Sequence, residues 1–472
     1  MTPEAPAAER PPDPQPQLFG HPRALAVLAG TEFWERLSFK GMQSLLVLYM
    51  VQQLLLPGHV ERIVGFDAFR HLIEGATGHL SVQALASMIF GLYITFVTFT
   101  PLLGGVVGDR VTGRTGAVVL GAVLMALGHL SMAFDASFLL ALLLLILGAG
   151  LLRANLSPQV GALYSPEDRK RETGFQIYAA AVNGGGFVAP LITGSLSQAW
   201  GWHVGFSFAA AGMLLGLAVY LLGRKQLPAQ PARIQRAEAK RPLTGEEWRR
   251  VALLIALMPL IGAFWVSQSQ VWSIYNLWVR DHLELAIGGF HMPVPWLSSL
   301  DSLVPFLALP PLLWLWAWQA RRGREPDEFG KLAIGCFLFA GATLWLGLGQ
   351  FVIDAHGRTP LLWAVAFHVV SNIGWLYVSP TSSALYNRAA PAPIVGTIMA
   401  FALLAVSMGS LVSGRIGGLY EQLTPLQFWG LHAAITAVGG AAIVVFGMLF
   451  RRTLFGAEGE EPLRERASQP AE

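Results

Sequence analysis

Cysteine is almost absent. The 472 residues hold one, Cys336, so neither a disulfide framework nor a thiolate metal site can be built. Charge is scarce too: Asp, Glu, Lys and Arg make up 13% of the chain and 54% is hydrophobic, with a mean hydropathy of +0.51. An ordinary soluble domain carries about 25% charged residues, and so few ionisable groups cannot clothe a soluble fold of this length. Much of the surface must face lipid. An excess of one sign is also missing, since the net charge is +3, and nucleic-acid binding has no compositional support. The opening MTPEAPAAERPPDPQPQLFG lacks the apolar core of a signal peptide and reads as a disordered cytoplasmic tail. No zinc-ligand spacing and no ordered Ser, His and Asp set occurs. No cofactor or metal is therefore expected, and an enzyme reading has no nucleophile or metal cluster to rest on.

What is present is a series of apolar runs. A spanning helix needs roughly 20 mostly apolar residues, and twelve runs qualify: 24–54, 82–107, 115–133, 137–163, 175–197, 204–222, 251–279, 296–318, 329–352, 361–386, 395–420 and 428–450. This predicts an all-α membrane protein in two six-helix halves. The expected division is a tail at 1–22, a first bundle at 23–223, a cytoplasmic linker at 224–250, a second bundle at 251–452 and a tail at 453–472. Of the 32 Lys and Arg, 24 fall in the two tails and in alternate connections, four in the remaining connections and four inside helices. By the positive-inside rule both termini are cytoplasmic. Six plus six helices around a basic linker is the layout of major facilitator transporters, whose substrate site lies near the bilayer midplane between two rocking halves.

An ionisable group inside a membrane helix costs several kcal/mol unless paired or hydrated, which makes it a functional candidate. The first helix holds Glu32, Glu35, Arg36 and Lys40. Glu32, Arg36 and Lys40 recur at helical spacing on one face, which Gln43 extends. A packing ladder of ion pairs or a water-lined cavity both fit this pattern. Arg153 on the fourth helix and Asp301 on the eighth complete an inventory of three acids and three bases. Balance suits a closed state with every charge matched, and a switch in which protonating one carboxylate frees a cation for an anionic substrate. Arg415 reads as snorkelling to the interface. Asp109, Arg110 and Arg114, in GGVVGDRVTGR, can pair across a cytoplasmic gate. Asn183 in AAAVNGGGFVAP, His368, Pro310, Pro311 and Pro380 are hinges or local packing, His368 reading as a hydrogen-bonded packing residue.

The segment FGHPRALAVLAGTEFWERLSFKGMQSLLVLYM resembles the opening of proton-dependent oligopeptide transporters, members of the major facilitator superfamily, whose first helix carries an ExxER motif, here Glu32, Glu35 and Arg36. The likeness continues through GGVVGDRVTGR, GAGLLRANLSPQVGALY, GFQIYAAAVNGGG, GWLYVSPTSSAL and VGTIMAFALLAVSMGSLVSG. The resemblance implies a proton symporter of the inner membrane that imports di- and tripeptides as a monomer. It implies proton coupling by Glu32, Glu35, Arg36 and Arg153, and substrate binding that includes Asn183 and Ser379. The stretch 224–250 leaves no room for the extra helical hairpin of some bacterial relatives.

The departures matter as much. Arg153 stands where the family usually has lysine, Lys40 and Gln43 where it has tyrosine and arginine, and Phe39 and Thr98 where site tyrosines are common. Trp375 replaces the glutamate that anchors a peptide amine, Ser269 an acid of the seventh helix, Ala402 a tryptophan and Asp301 an asparagine. The carboxylate-binding side thus keeps its cations, with Lys40 near the missing arginine. The amine side has lost both acids and acquired Asp301. Either Asp301 meets a substrate amine, or the substrates are amine-blocked conjugates or organic anions and Asp301 neutralises Arg153 or Lys40. A sensor that binds without transporting is a further alternative.

Overall fold

The computed structural model describes residues 17–165, 168–227 and 241–456. Most of both expected tails, and 228–240 of the expected linker, lie outside the described residues. A short antiparallel pair, β1 (Gln17–Leu18) and β2 (His21–Pro22), leads into α1 (Arg23–Tyr49). A π-helical turn over Met50–Leu54 closes α1, and α2 (Phe66–Thr77) follows. At 12 residues α2 is too short to span; it buries Phe66 and Ile73 on one face. It lies outside the twelve apolar runs.

Helix α3 (Val82–Val107) starts where Ser81 accepts the Ala84 amide, a side-chain cap for an otherwise orphaned donor. It ends in a π-helical turn, Gly108–Thr112, and at Gly113, whose φ of 70° breaks the run before α4 (Gly113–Ser131). Helices α5 (Phe138–Gly161), α6 (Lys170–Trp200) and α7 (Trp202–Gly223) complete the first half; Gly201 at φ 92° separates α6 from α7. The second half opens with α8 (Gly245–Val271), capped reciprocally by Thr244 and Glu247, then α9 (Ile274–His282). A hairpin, β3 (Ala286–Ile287) and β4 (Phe290–His291), precedes α10 (Leu300–Arg321). Helices α11 (Glu328–Leu348), α12 (Leu361–Ala389), α13 (Val395–Ala402), α14 (Leu404–Gly417) and α15 (Pro425–Phe455) follow.

Among the described residues, ten stretches are long and apolar enough to cross a membrane. The longest, Val82–Ser131, contains both α3 and α4. Helix α1 has the length but holds four ionisable residues in its middle, and with it the crossings number twelve, as expected. Two expected single helices are broken. The run 251–279 bends at Ser273, whose φ and ψ of −121° and −96° leave the helical region. The run 395–420 breaks at Leu403, whose amide bonds Ala400 O at 3.2 Å in a tightened turn.

Small residues set the packing within each half. A Cβ on Gly104 would stand 2.1 Å from Gly150 O, and one on Gly185 would stand 2.4 Å from Phe33 O. The GGG run of α6 therefore lets the α1 backbone lie against it. The halves meet chiefly at the end opposite the basic connections. There Thr95 Oγ1 donates to Ser407 O at 3.0 Å and Ser407 Oγ returns a bond to Thr95 O at 3.2 Å. Ser81 hydrogen-bonds Glu421, and Arg415 Nη2 donates to Thr77 O at 3.3 Å. Gly91 faces Gly414 so closely that a Cβ would lie 2.7 Å from its Cα. Trp296 Nε1 donates to Leu191 O at 3.0 Å and Gln198 Nε2 to His291 O at 2.9 Å. Toward the basic end the first turns of α6 are mostly exposed, as are Gly396, Thr397 and Phe401 of α13.

Candidate functional site

Helix α1 carries its acids into the middle of the first half. Glu32 is 2% exposed and Glu35 fully buried. Arg36 Nε donates to Glu32 Oε1 at 2.7 Å and lies 3.2 Å from Glu35 Oε2. Arg153, from α5, places Nε and Nη2 at 3.0 and 2.9 Å from Glu35 Oε1. Its guanidinium lies 3.9 Å over the Phe39 ring, whose centroid is 6.4 Å from the stacked Tyr93 ring. Tyr178 of α6 donates its hydroxyl to Glu32 Oε2 at 2.6 Å. Two acids, two arginines and Tyr178 thus form one connected network on three helices. Each buried charge has an opposite partner, the condition under which its desolvation is tolerable.

Lys40 departs from the expected ladder. It makes no ion pair among the described residues; its Nζ sits 4.8 Å from the centroid of Trp272, at the α8–α9 break. Lys40, Gln43 and Ser44 of α1 line a small cavity with Pro190, Trp272, Asn276, Ser298 and Asp301. Asp301 therefore faces Lys40 across the space between the halves. Asp301 Oδ1 lies 3.0 Å from His368 Nδ1 and accepts from Asn372 Nδ2 at 3.2 Å. The expectation that Asp301 neutralises Arg153 is not what the structure shows, since Arg153 is taken by Glu35. His368 is hydrogen-bonded and fully buried, as the sequence suggested, but its partner is that carboxylate.

The remaining candidates are more dispersed. Asn183 donates to Ala179 O, one turn back on its own helix, at 2.9 Å, and is half-buried. Trp375 is half-buried against the core of the second half, and Ser379, a turn on, is also half-buried. Ser269 bonds Ser410 at 2.8 Å. Arg114 Nε donates to Asp109 Oδ1 at 3.2 Å. That pair closes within its own connection, not across to the other half, and Arg110 is exposed. Arg415 is exposed, yet it bonds the opposite half at Thr77 and does not simply reach for solvent.

Tyr178, Trp272 and Asn372 were missed in the sequence. Tyr178 had a signal, since it precedes Gly185 by two helical turns and so shares the face packed on α1. Trp272 and Asn372 had none, because a bend and a cross-helix contact bring them in. A second polar cluster lies at the closed end, where Asp135 accepts Tyr49 OH at 2.5 Å and lies 2.7 Å from His59 Nδ1 and 3.1 Å from His203 Nε2. Among the described residues no three His, Cys, Asp or Glu side chains stand in a metal-binding arrangement.

The chain matches the POT family over residues 115–240 and 232–429. It is 28% identical to the uncharacterized transporter YclF of Bacillus subtilis, over 94% of this chain and 97% of that one. It is 27% identical to a di-/tripeptide transporter of Lactococcus lactis subsp. cremoris, over 94% and 98% of the two chains. A solved peptide transporter POT in complex with sulfate superposes with a TM-score of 0.79 at 27% identity, covering 94% of this chain and 98% of its own. Twelve crossings in two six-helix halves are the major facilitator fold of a multi-pass membrane transporter, and the chain belongs to the POT family.

Proposed function

We propose that this protein is a proton-coupled symporter of the inner membrane that imports di- and tripeptides by alternating access, and is not an enzyme. The observation that carries the reading is the buried network of Glu32, Glu35, Arg36 and Arg153 beside the cavity of Lys40 and Asp301. Di-/tripeptide transport by the Lactococcus relative supports the substrate class. With both termini and the basic connections in the cytoplasm, the seam at the opposite end is the outer gate. The two moving bodies are then 23–223 and 251–452, joined by the linker 224–250, in a monomer.

In this reading Glu35 takes the proton and Arg153 is the fixed cation that its charge holds; arginine stays protonated even in a buried site. Glu32 and Arg36 are the second pair of the same relay. Lys40, Gln43 and Arg153 hold the substrate carboxylate, and Asn183, Trp375 and Ser379 line the path. Asp301 meets the amine. Asp109, Arg110 and Arg114 serve the inner gate. A second reading, substrates without a free amine, is favoured by Trp375 and by the two donors already on Asp301 Oδ1.

Uptake of labelled peptides by purified protein in liposomes under an imposed pH gradient tests the function. Accumulation that collapses with the gradient is the expected result; binding without flux would make the protein a sensor.

A further inference from the structure

Asp301 and His368 form a unit. One carboxylate oxygen takes both donors, His368 Nδ1 and Asn372 Nδ2. The other receives no donor among the described residues, and Asp301 lines the cavity opposite Lys40. His368 Nε2 is buried with no hydrogen-bond partner, and its ring stands edge-on to Tyr275 at 5.0 Å. The titratable and charged groups turned to this unit are Lys40 on α1, with Arg36, Glu35 and Arg153 behind it, and Tyr275 on α9. Asp301 is the one acid within the six apolar runs of the second half.

Charge balance across the cavity then distinguishes two substrate classes. A neutral His368 with an ionised Asp301 carries one negative charge, matched by Lys40. A zwitterionic peptide adds none: its carboxylate meets Lys40 and its ammonium meets the free Asp301 oxygen. A substrate with a blocked amine adds a negative charge and leaves the site unbalanced, which is costly away from water. One proton, arriving at His368 Nε2 or at the free Asp301 oxygen, restores the balance and takes the place of the missing ammonium.

We propose that Asp301 and His368 are an exchangeable proton-or-ammonium site, which lets the protein carry carboxylate substrates lacking a free amine, each with one proton more than a free peptide. This rests on the coupled import proposed above.

Binding and flux separate the two. For purified full-length protein, affinity for an N-acetyl dipeptide weakens as pH rises, by up to about tenfold per pH unit, the limit for one linked proton; affinity for the free dipeptide has a shallower slope. In liposomes the proton-to-substrate ratio, read from the pH gradient that gives zero flux, is larger by one for the N-acetyl form. His368→Asn keeps a donor for Asp301 without a titrating nitrogen, and Asp301→Asn removes the acid; monodispersity and Tm confirm that each folds. Asp301→Asn should abolish the difference in slope, and so should His368→Asn where the proton lands on the imidazole. Equal slopes for the two ligands in the unmodified protein, or a difference that survives both substitutions, overturns the proposal. Absence of any gradient-driven uptake, with the binding slopes as expected, overturns the coupled-import reading and leaves the site.

Discussion

Arg153 is held on one side by Glu35 and on another by the Phe39 ring. Replacing Glu35 with Gln leaves the hydrogen-bonding shape but removes the charge that a proton would neutralise. Glu35→Gln should therefore abolish proton-driven accumulation and keep part of the exchange of substrate across the membrane. Normal accumulation by that variant would move the coupling elsewhere. Tyr178→Phe takes away the phenol that bonds Glu32. A hydrogen bond to a charged group contributes about 1.5–3 kcal/mol, so this variant should melt several degrees lower in detergent. An unchanged Tm would mean that water replaces the phenol without loss.

Among the elements, the α3–α14 seam is built of glycine. Alanine at Gly91 would push its Cβ to 2.7 Å from both Gly414 Cα and Ser410 O. Overpacking costs about 1–3 kcal/mol, and 1.4 kcal/mol is tenfold in an equilibrium. Gly91→Ala should thus shift the population away from the closed seam by roughly tenfold. The yield of a disulfide between Thr95→Cys and Ser407→Cys reports this directly, because the native Cys336 is buried. An undiminished yield would show that α14 yields without opening. At the α2–α3 elbow the Leu80 amide, with Arg70 and His79, holds the Glu74 carboxyl below its ordinary range. A depressed carboxyl contributes stability above its unfolded value, and that contribution is lost as pH falls through the lower folded value. The protection factor of the Leu80 amide against hydrogen exchange should fall in acid, and Glu74→Gln should remove that dependence.

Much of the element map was legible because hydrocarbon requires apolar runs of a fixed length. What stayed hidden was whatever that requirement does not touch. The helix α2 is amphipathic and short, and Ser273 and Leu403 bend helices with no proline or glycine at the bend. At the site, Glu32 and Arg36 are one turn apart on a single helix, so their pairing could be read from spacing. The choice of Glu35 for Arg153 and of His368 for Asp301 depends on which helices cross, and no spacing in one segment encodes that.

For the whole molecule, the hydrogen bonds described between the halves gather at one end, so that seam must break for a path to open there. The hydrogen bond from Ser81 to Glu421 and that from Arg415 to Thr77 bridge this seam. Glu421→Gln together with Arg415→Gln should weaken it while leaving the buried network intact. Exchange should quicken or slow with the seam, while the proton-to-substrate ratio stays the same. A changed ratio would tie these surface groups to coupling.

The seam's composition also bears on temperature. Where Gly91 meets Gly414 and Thr95 meets Ser407, backbone and hydroxyl groups take the place of leucine and phenylalanine side chains. Parting these two contacts wets little hydrocarbon, so they add little to the heat-capacity change of opening. The part of the balance that they set should then vary smoothly on cooling.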